Sequence, residues 1–150
     1  MLATGVVFVA IQFIHPSRNI NKQQPPSDIS NSVFIPDSIK SILINACIDC
    51  HSNNTDYPWY SYVQPMGWLM AKHIEDGKKE LNFSDFGSYS KRMQISLLGG
   101  IANSIKDDKM PLTSYTFLHN KAKLSTNEKE MLIKWAQKSK DSIDETYQAK

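Results

Sequence analysis

The feature that most constrains this chain is the pentapeptide Cys47-Ile48-Asp49-Cys50-His51, which has the spacing C-x-x-C-H. That spacing is the attachment signature of a c-type haem. The two thiols add to the two vinyl groups of the porphyrin, and the histidine directly after the second thiol can bind the iron as proximal ligand. The chain has 2 cysteines, and both lie in this motif. The sequence therefore predicts one covalent haem c, with its iron, held by Cys47, Cys50 and His51.

A C-x-x-C pair has three other common uses, and they stay open at this stage. A thioredoxin-like redox pair needs a βαβ context, which the sequence does not predict. A zinc site needs a second cysteine pair or a downstream histidine pair, and neither follows in the sequence. A disulfide across a short loop would use the same two residues. Haem attachment is favoured because the motif holds three reactive side chains at a defined spacing.

The pattern of apolar residues predicts an all-α domain. Apolar side chains recur at helical intervals along much of the chain, and no long segment alternates with the period of a β-strand. We predict helices over residues 36–50, 65–76, 85–106, 113–119 and 126–142.

Glycines and capping residues indicate where these helices begin and end. Gly77 is expected to stop the second helix, and Ser84 or Asp85 is expected to cap the third. Gly99-Gly100 is expected to interrupt that third helix, because each glycine costs about 1 kcal/mol in a helix interior. The last helix is predicted to open with an S-x-x-E capping box at residues 125–128.

The N-terminal segment, residues 1–15, is predicted to be a membrane anchor or a signal segment. Residues 2–14 are almost entirely apolar, but at about 1.5 Å per residue they span only about 20 Å of a hydrocarbon core of about 30 Å. No small-residue cleavage site precedes His15, so a retained anchor is favoured over a cleaved signal. A buried N-terminal helix stays open as an alternative. Residues 16–32 are interpreted as a linker and residues 33–146 as the haem-binding domain.

The second axial ligand of the iron is the main open question in the sequence. Met110 is favoured, because a thioether is a soft, neutral ligand that raises the reduction potential of haem iron. Pro111 directly after it stiffens the loop that presents the sulfur. His73, on the apolar face of the second predicted helix, is the alternative, and an open position is the third option.

Four further side chains are assigned to other places: Met66 and Met70 to the core, His119 to the surface or the surroundings of the ligands, and His15 to the membrane edge.

Residues 52–64 form a loop that is rich in aromatic side chains. Trp59 and Tyr60 are candidates for shielding the porphyrin, and their polar atoms can reach a propionate. Ordinary loop packing explains the same residues equally well, so both interpretations stay open.

From Cys47 to about Trp135, the chain resembles the small haem-binding domain proteins of Bacteroidetes, which are similar to c-type cytochromes. The runs that carry the resemblance are residues 46–53 (ACIDCHSN), 57–60 (YPWY), 77–78 (GK) with 81–84 (LNFS), 109–112 (KMPL) and the segment 124–135. The resemblance implies one covalent haem, a cytochrome-c-like helical fold around it and an exported protein. It assigns Cys47, Cys50 and His51 to attachment and ligation, and Met110 to the sixth position.

These features predict a monohaem c-type cytochrome that carries single electrons to or from redox proteins or a respiratory complex, without substrate chemistry of its own. In bacteria, c-type haem is attached outside the cytoplasm. The expected location is therefore the periplasmic side of the inner membrane, anchored by the N-terminal segment. The length of 150 residues favours one domain. The formal net charge of +2 is too small to indicate a nucleic-acid partner.

Two other functions compete with the electron carrier. A haem-based sensor or ligand-binding module would have a displaceable sixth ligand, and binding of carbon monoxide to the reduced protein would distinguish it. A peroxidase-type domain normally relays electrons between two haems, and the single C-x-x-C-H argues against that class.

Overall fold

The computed structural model describes residues 2–21 and 23–149. The α-helices are α1 (Leu2–Ile11), α2 (Asp37–Ala46), α3 (Ile48–His51), α4 (Met66–Glu80), α5 (Lys91–Lys106), α6 (Thr113–Leu118) and α7 (Thr126–Gln148). Short 3-10 turns lie at Ile29–Asn31, Trp59–Tyr62, Phe83–Ser88 and Asn120–Ala122. The described ranges contain no strand, so the prediction of an all-α fold is confirmed.

The core forms where α5 and α7 pack against each other, with α2 in contact with α7. Leu98 of α5 and both Leu132 and Ala136 of α7 are fully buried. Each large apolar side chain buried in this way stabilises the fold by about 1.5–3 kcal/mol. Trp135 of α7 also donates its indole N–H to the carbonyl oxygen of Phe34 at 3.0 Å, which holds the chain before α2 against the core.

The first predicted helix, over residues 36–50, is divided into α2 and α3 by a break at Cys47. The Cys47 N–H still donates to the Leu43 carbonyl oxygen at 2.9 Å, but its backbone has left helical geometry, with φ −127° and ψ −45°. The His51 N–H then donates to the Cys47 carbonyl oxygen at 2.9 Å, so a new helical turn starts there. The prediction of one continuous helix is therefore wrong, and the motif lies on its own short helix, α3.

The predicted stop at Gly77 is also wrong, because α4 continues through it to Glu80. A Cβ atom at Gly77 would lie 2.7 Å from the backbone oxygen of Cys50. Glycine is therefore present because the backbone of α3 packs directly on α4 at this position.

The third predicted helix differs from the structure at its start and at its centre. Residues 83–88 form a 3-10 turn, which is capped by the Asn82 side chain accepting from the Ser84 N–H. Helix α5 begins only at Lys91, with Ser90 as its capping residue, so the predicted caps at Ser84 or Asp85 are wrong. Gly99-Gly100 does not interrupt the helix, because burial of neighbouring side chains such as Leu98 outweighs the intrinsic cost of glycine.

The last two predicted helices are present. Helix α6 covers nearly all of the short segment expected at 113–119. The capping box that opens α7 is confirmed, since Ser125 and Glu128 bond to each other's backbone N–H groups. Helix α7 extends beyond the predicted end at residue 142 because Ile143 is buried in the core.

The N-terminal segment is helical and is attached to the rest of the chain. The Gln64 N–H donates to the Gln12 side-chain oxygen at 2.8 Å, and the Trp68 indole donates to the Ile14 carbonyl oxygen at 2.9 Å. Over the described part of the chain, none of the helices has both the length and the apolar character that crossing a bilayer requires. The anchor therefore stays a prediction, and residue 1 of it lies outside the described residues.

The segment interpreted as a linker, residues 16–32, touches the helical domain at several points. The Arg18 guanidinium lies 4.2 Å from the ring centre of Tyr57 and 4.0 Å from that of Tyr62. The Asn19 side chain donates to the Ser52 carbonyl oxygen at 2.8 Å. Ile29 is buried in the core. Residue 22 of the segment lies outside the described residues.

We expect Gly77→Ala to destabilise the domain, although alanine is the better helix former. The added methyl group would push α3 away from α4, and such overpacking typically costs about 1–3 kcal/mol. The matched control is Gly99→Ala, where the nearest heavy atom to the new Cβ is Lys140 Cδ at 3.8 Å. That change should stabilise the domain by up to about 1 kcal/mol. Urea unfolding of both variants is the measurement, and equal midpoints would contradict the close packing of α3 on α4.

Candidate haem site

The three chemical groups of the motif are presented by α3 and by the break before it. Cys47 lies at the junction of α2 and α3, and Cys50 and His51 lie on α3 itself. His51 Nδ1 is 3.0 Å from the carbonyl oxygen of Leu81, just after α4. A carbonyl oxygen only accepts hydrogen bonds, so in the neutral ring the proton is on Nδ1 and the lone pair is on Nε2. This is the arrangement in which a neutral histidine is oriented for binding a metal.

Two cavities adjoin the motif. One has a volume of about 260 Å³ and is lined by Cys50, and the other has a volume of about 410 Å³ and is lined by Cys47. His51, Glu80 and Met110 line both cavities. Cofactor sites typically occupy roughly 300–1,000 Å³. The two cavities together therefore match a cofactor that spans from one thiol to the other.

The walls of the larger cavity have the character that a porphyrin needs. Leu97, Ile101 and Ile105 project into it from α5. Gly100 lies on the same wall, and a Cβ atom there would meet nothing within 4 Å, so this part of the helix borders open space. The residues present therefore fit a haem with an apolar body, a thiol at each cavity and a histidine between them.

Met110 is placed in these walls by the end of α5. The N–H groups of Lys109 and Met110 both donate to the Ser104 carbonyl oxygen, at 2.9 and 3.2 Å. Asp108 between them and the helix takes up left-handed backbone geometry, with φ 54°. This turn directs the chain back towards the motif, and it brings Met110 into both cavities together with His51.

The other candidate ligands differ in whether they line these cavities. His73 lines only the cavity on the Cys50 side. Met70 is buried and Met66 is half-buried, and neither lines the two cavities. His15 is exposed near the N-terminal helix.

Trp59 and Tyr60 lie outside the walls of both cavities, so the structure does not bring them against the space next to the thiols. Trp59 is 80% exposed, because the 3-10 turn directs its ring towards solvent. The Tyr60 hydroxyl is 3.1 Å from Nε2 of His119. His119 in turn stacks on Tyr115 with ring centres 4.0 Å apart, so it belongs to the surroundings of the cavity wall.

Asp49 and Tyr115 form a contact that sequence reasoning missed. The Tyr115 hydroxyl donates to the Asp49 carboxylate at 2.6 Å, and Tyr115 also lines the cavity on the Cys50 side. Burial, and then this hydrogen bond, raise the pKa of the Tyr115 hydroxyl well above its ordinary value. The other carboxylate oxygen of Asp49 accepts the N–H of Asp56 at 2.9 Å. The only signal in the sequence is that Asp49 is a charged residue inside the motif, and nothing there pairs it with Tyr115.

Both thiols lie in surroundings that favour their neutral form. Burial, and then the neighbouring Cys50, raise the pKa of Cys47 to about 12. Burial, and then the Asp49 carboxylate, raise the pKa of Cys50 to about 11. In the haem-free chain both sulfurs are therefore protonated at neutral pH.

Comparison with known proteins identifies the family to which this site belongs. Residues 6–138 match the family model described as a haem-binding domain. The chain belongs to this haem-binding domain family. It is also 26% identical over 147 residues to the cytochrome c peroxidase Ccp of Escherichia coli (strain K12), covering 92% of this chain and 32% of that protein. This chain thus spans about a third of the length of that curated relative. No solved structure matches the chain.

We expect alkylation of the haem-free, folded chain by iodoacetamide to be slow at pH 9. The thiolate is the reacting species. With a pKa of about 11, Cys50 has roughly 50- to 80-fold less thiolate at pH 9 than it has in an unfolded chain, and Cys47 has less still. The rate should rise steeply as the pH approaches 11. The control is the same chain in urea, and equal rates in the folded and unfolded chains at pH 9 would contradict the burial of the thiols.

Proposed function

We propose that this haem-binding domain is a monohaem c-type cytochrome that transfers single electrons. In this proposal Cys47 and Cys50 tether the haem, and His51 and Met110 are its axial ligands. The observation that carries the proposal is that His51 and Met110 line both cavities, while each thiol lines one of them. A bound haem c supplies a one-electron Fe(III)/Fe(II) couple, whose potential depends on its axial ligands and its burial.

The protein groups around the site have separate tasks in this proposal. The Leu81 carbonyl holds the ring of His51 in one orientation and keeps Nε2 available. Met110 contributes a neutral sulfur, which favours the reduced form over the oxidised one more than a second histidine would. The apolar side chains of α5 exclude water from the larger cavity. We propose no substrate chemistry for the domain.

His73 supports a competing ligation. It lines the cavity on the Cys50 side together with Met110, and histidine is also a common ligand of haem iron.

A displaceable Met110 would instead make the domain a sensor or ligand-binding module. The similarity to a cytochrome c peroxidase covers only a third of that protein, and this chain contains one C-x-x-C-H motif. A peroxidase role would therefore need a second haem from outside this chain.

We further propose that the domain works on the periplasmic side of the inner membrane, anchored by its N-terminal segment. Val6, Val7, Phe8 and Val9 of α1 are exposed apolar side chains, which supports contact with lipid. Its partners in this proposal are redox proteins or a respiratory complex. The two hydrogen bonds between Gln12, directly after α1, and the Gln64 backbone connect this segment to the domain that would carry the haem.

The attachment is tested by expressing the full chain with an export signal and the c-type maturation machinery. We expect haem to stay on the denatured polypeptide after acid–organic extraction, because two thioethers hold it. The Cys47→Ala/Cys50→Ala double variant should release it. Each single variant should keep one thioether. Its pyridine haemochrome spectrum should shift, because one vinyl group is then left conjugated with the porphyrin ring. Haem that extracts freely from the wild type would contradict covalent attachment.

The sixth ligand is tested by comparing Met110→Ala with His73→Ala. We expect Met110→Ala to abolish the iron–sulfur charge-transfer band, to lower the reduction potential and to let the reduced protein bind carbon monoxide. His73→Ala is the matched control, and it should leave the spectrum unchanged while costing about 1–3 kcal/mol of stability. The reverse pattern would show that His73 is the ligand. Fast carbon monoxide binding by the wild type would favour a sensor.

A further inference from the structure

We propose that Tyr115 is a positioning residue that holds the Met110 loop closed over the haem site. This inference rests on the proposed ligation by His51 and Met110. It concerns the segment 107–112, which joins α5 to α6 and carries Met110. The hydrogen bond of Tyr115 to Asp49 ties the far end of that segment to the attachment motif.

The near end of the loop is fixed to α5 by its backbone. The Ser104 carbonyl oxygen accepts both the Lys109 and the Met110 N–H groups, and Asp108 forms an ion pair with Lys129 of α7. These bonds set where the loop leaves the core. They do not determine whether the chain after Pro111 stays against the motif.

The far end of the loop has little apolar packing to hold it. None of the side chains of α6 is fully buried, and Phe117 of this helix is 81% exposed. A short helix with so little burial opens more readily than the core does. Its position therefore depends on specific contacts, and two of them lie on the side that faces the motif.

Tyr115 makes the first of these contacts, with Asp49. Its ring also packs on His119, which makes the second contact, with Tyr60. The Tyr115 hydroxyl donates to Asp49 Oδ2 at 2.6 Å, within the C-x-x-C-H segment itself. Its ring stacks on His119, with ring centres 4.0 Å apart and planes 18° apart. The Tyr60 hydroxyl is 3.1 Å from His119 Nε2, which joins the end of α6 to the turn at 59–62.

The Asp49 carboxylate is well suited to this task because it is itself held in place. Its Oδ1 accepts the Asp56 N–H at 2.9 Å, and the Asp49 carbonyl oxygen accepts from the Thr55 hydroxyl at 2.6 Å. The acceptor is therefore part of the same rigid turn that presents Cys50 and His51. A movement of α6 away from α3 would break the bond to Tyr115. It would also draw Leu112 and Tyr115 out of the wall of the cavity on the Cys50 side, and so expose Met110.

Tyr115→Phe in the full-length holoprotein tests this inference, because it removes the hydroxyl and keeps the ring. Loss of a hydrogen bond to a charged group changes the equilibrium between the closed and the open position of the loop by roughly 10- to 100-fold. We expect carbon monoxide to bind the reduced variant about 10- to 100-fold faster than the wild type, with a weaker iron–sulfur band. The matched control is Tyr89→Phe, which alters a tyrosine that packs on Phe86 before α5 and should bind carbon monoxide at the wild-type rate.

A second variant, Asp49→Asn, removes the charge and leaves one acceptor oxygen for two donors, the Asp56 N–H and the Tyr115 hydroxyl, so an intermediate carbon monoxide rate is expected. One outcome would contradict the role of Tyr115 alone. In that outcome the wild type shows the iron–sulfur band, so Met110 ligation stands, but Tyr115→Phe and Asp49→Asn both bind carbon monoxide at the wild-type rate. If the wild type lacks the band and already binds carbon monoxide rapidly, Met110 ligation fails and this inference fails with it.

Discussion

The contact of α3 with α4 is the constraint on which the rest of the site depends. The backbone of Cys50 lies so close to Gly77 that no side chain fits between them, and four residues later the Leu81 carbonyl meets His51 at 3.0 Å. Helix α4 and the residue that follows it therefore determine both how closely the motif packs and how the His51 imidazole is oriented. Because α3 is a single turn, it has too few internal hydrogen bonds to keep this geometry by itself.

The same short helix also organises the opposite side of the site through Asp49. One carboxylate oxygen holds the turn after the motif through Asp56, and the other reaches α6 through Tyr115. Charged acceptors make hydrogen bonds roughly twice as strong as neutral ones. Asp49, which lies between the two cysteines, thus connects α3 to α6 and so to the end of the loop that carries Met110.

Sequence reasoning succeeded where the signal is local and failed where tertiary contact decides. The all-helical class and the capping box at Ser125 follow from residues close together in the chain, and the structure confirms both. The path of α4 through Gly77 could not be predicted, because the reason for that glycine is the backbone of another helix. The bond between Asp49 and Tyr115 joins positions 66 residues apart, so no periodic pattern reveals it.

The central claim is that His51 and Met110 hold the iron of one haem between them. X-ray absorption at the iron edge of the oxidised full-length protein tests it most directly, because nitrogen and sulfur ligands scatter differently. The account predicts one sulfur ligand beside the nitrogen ligands, and loss of that sulfur in Met110→Ala. Iron surrounded only by nitrogen or oxygen in the wild type would contradict the account.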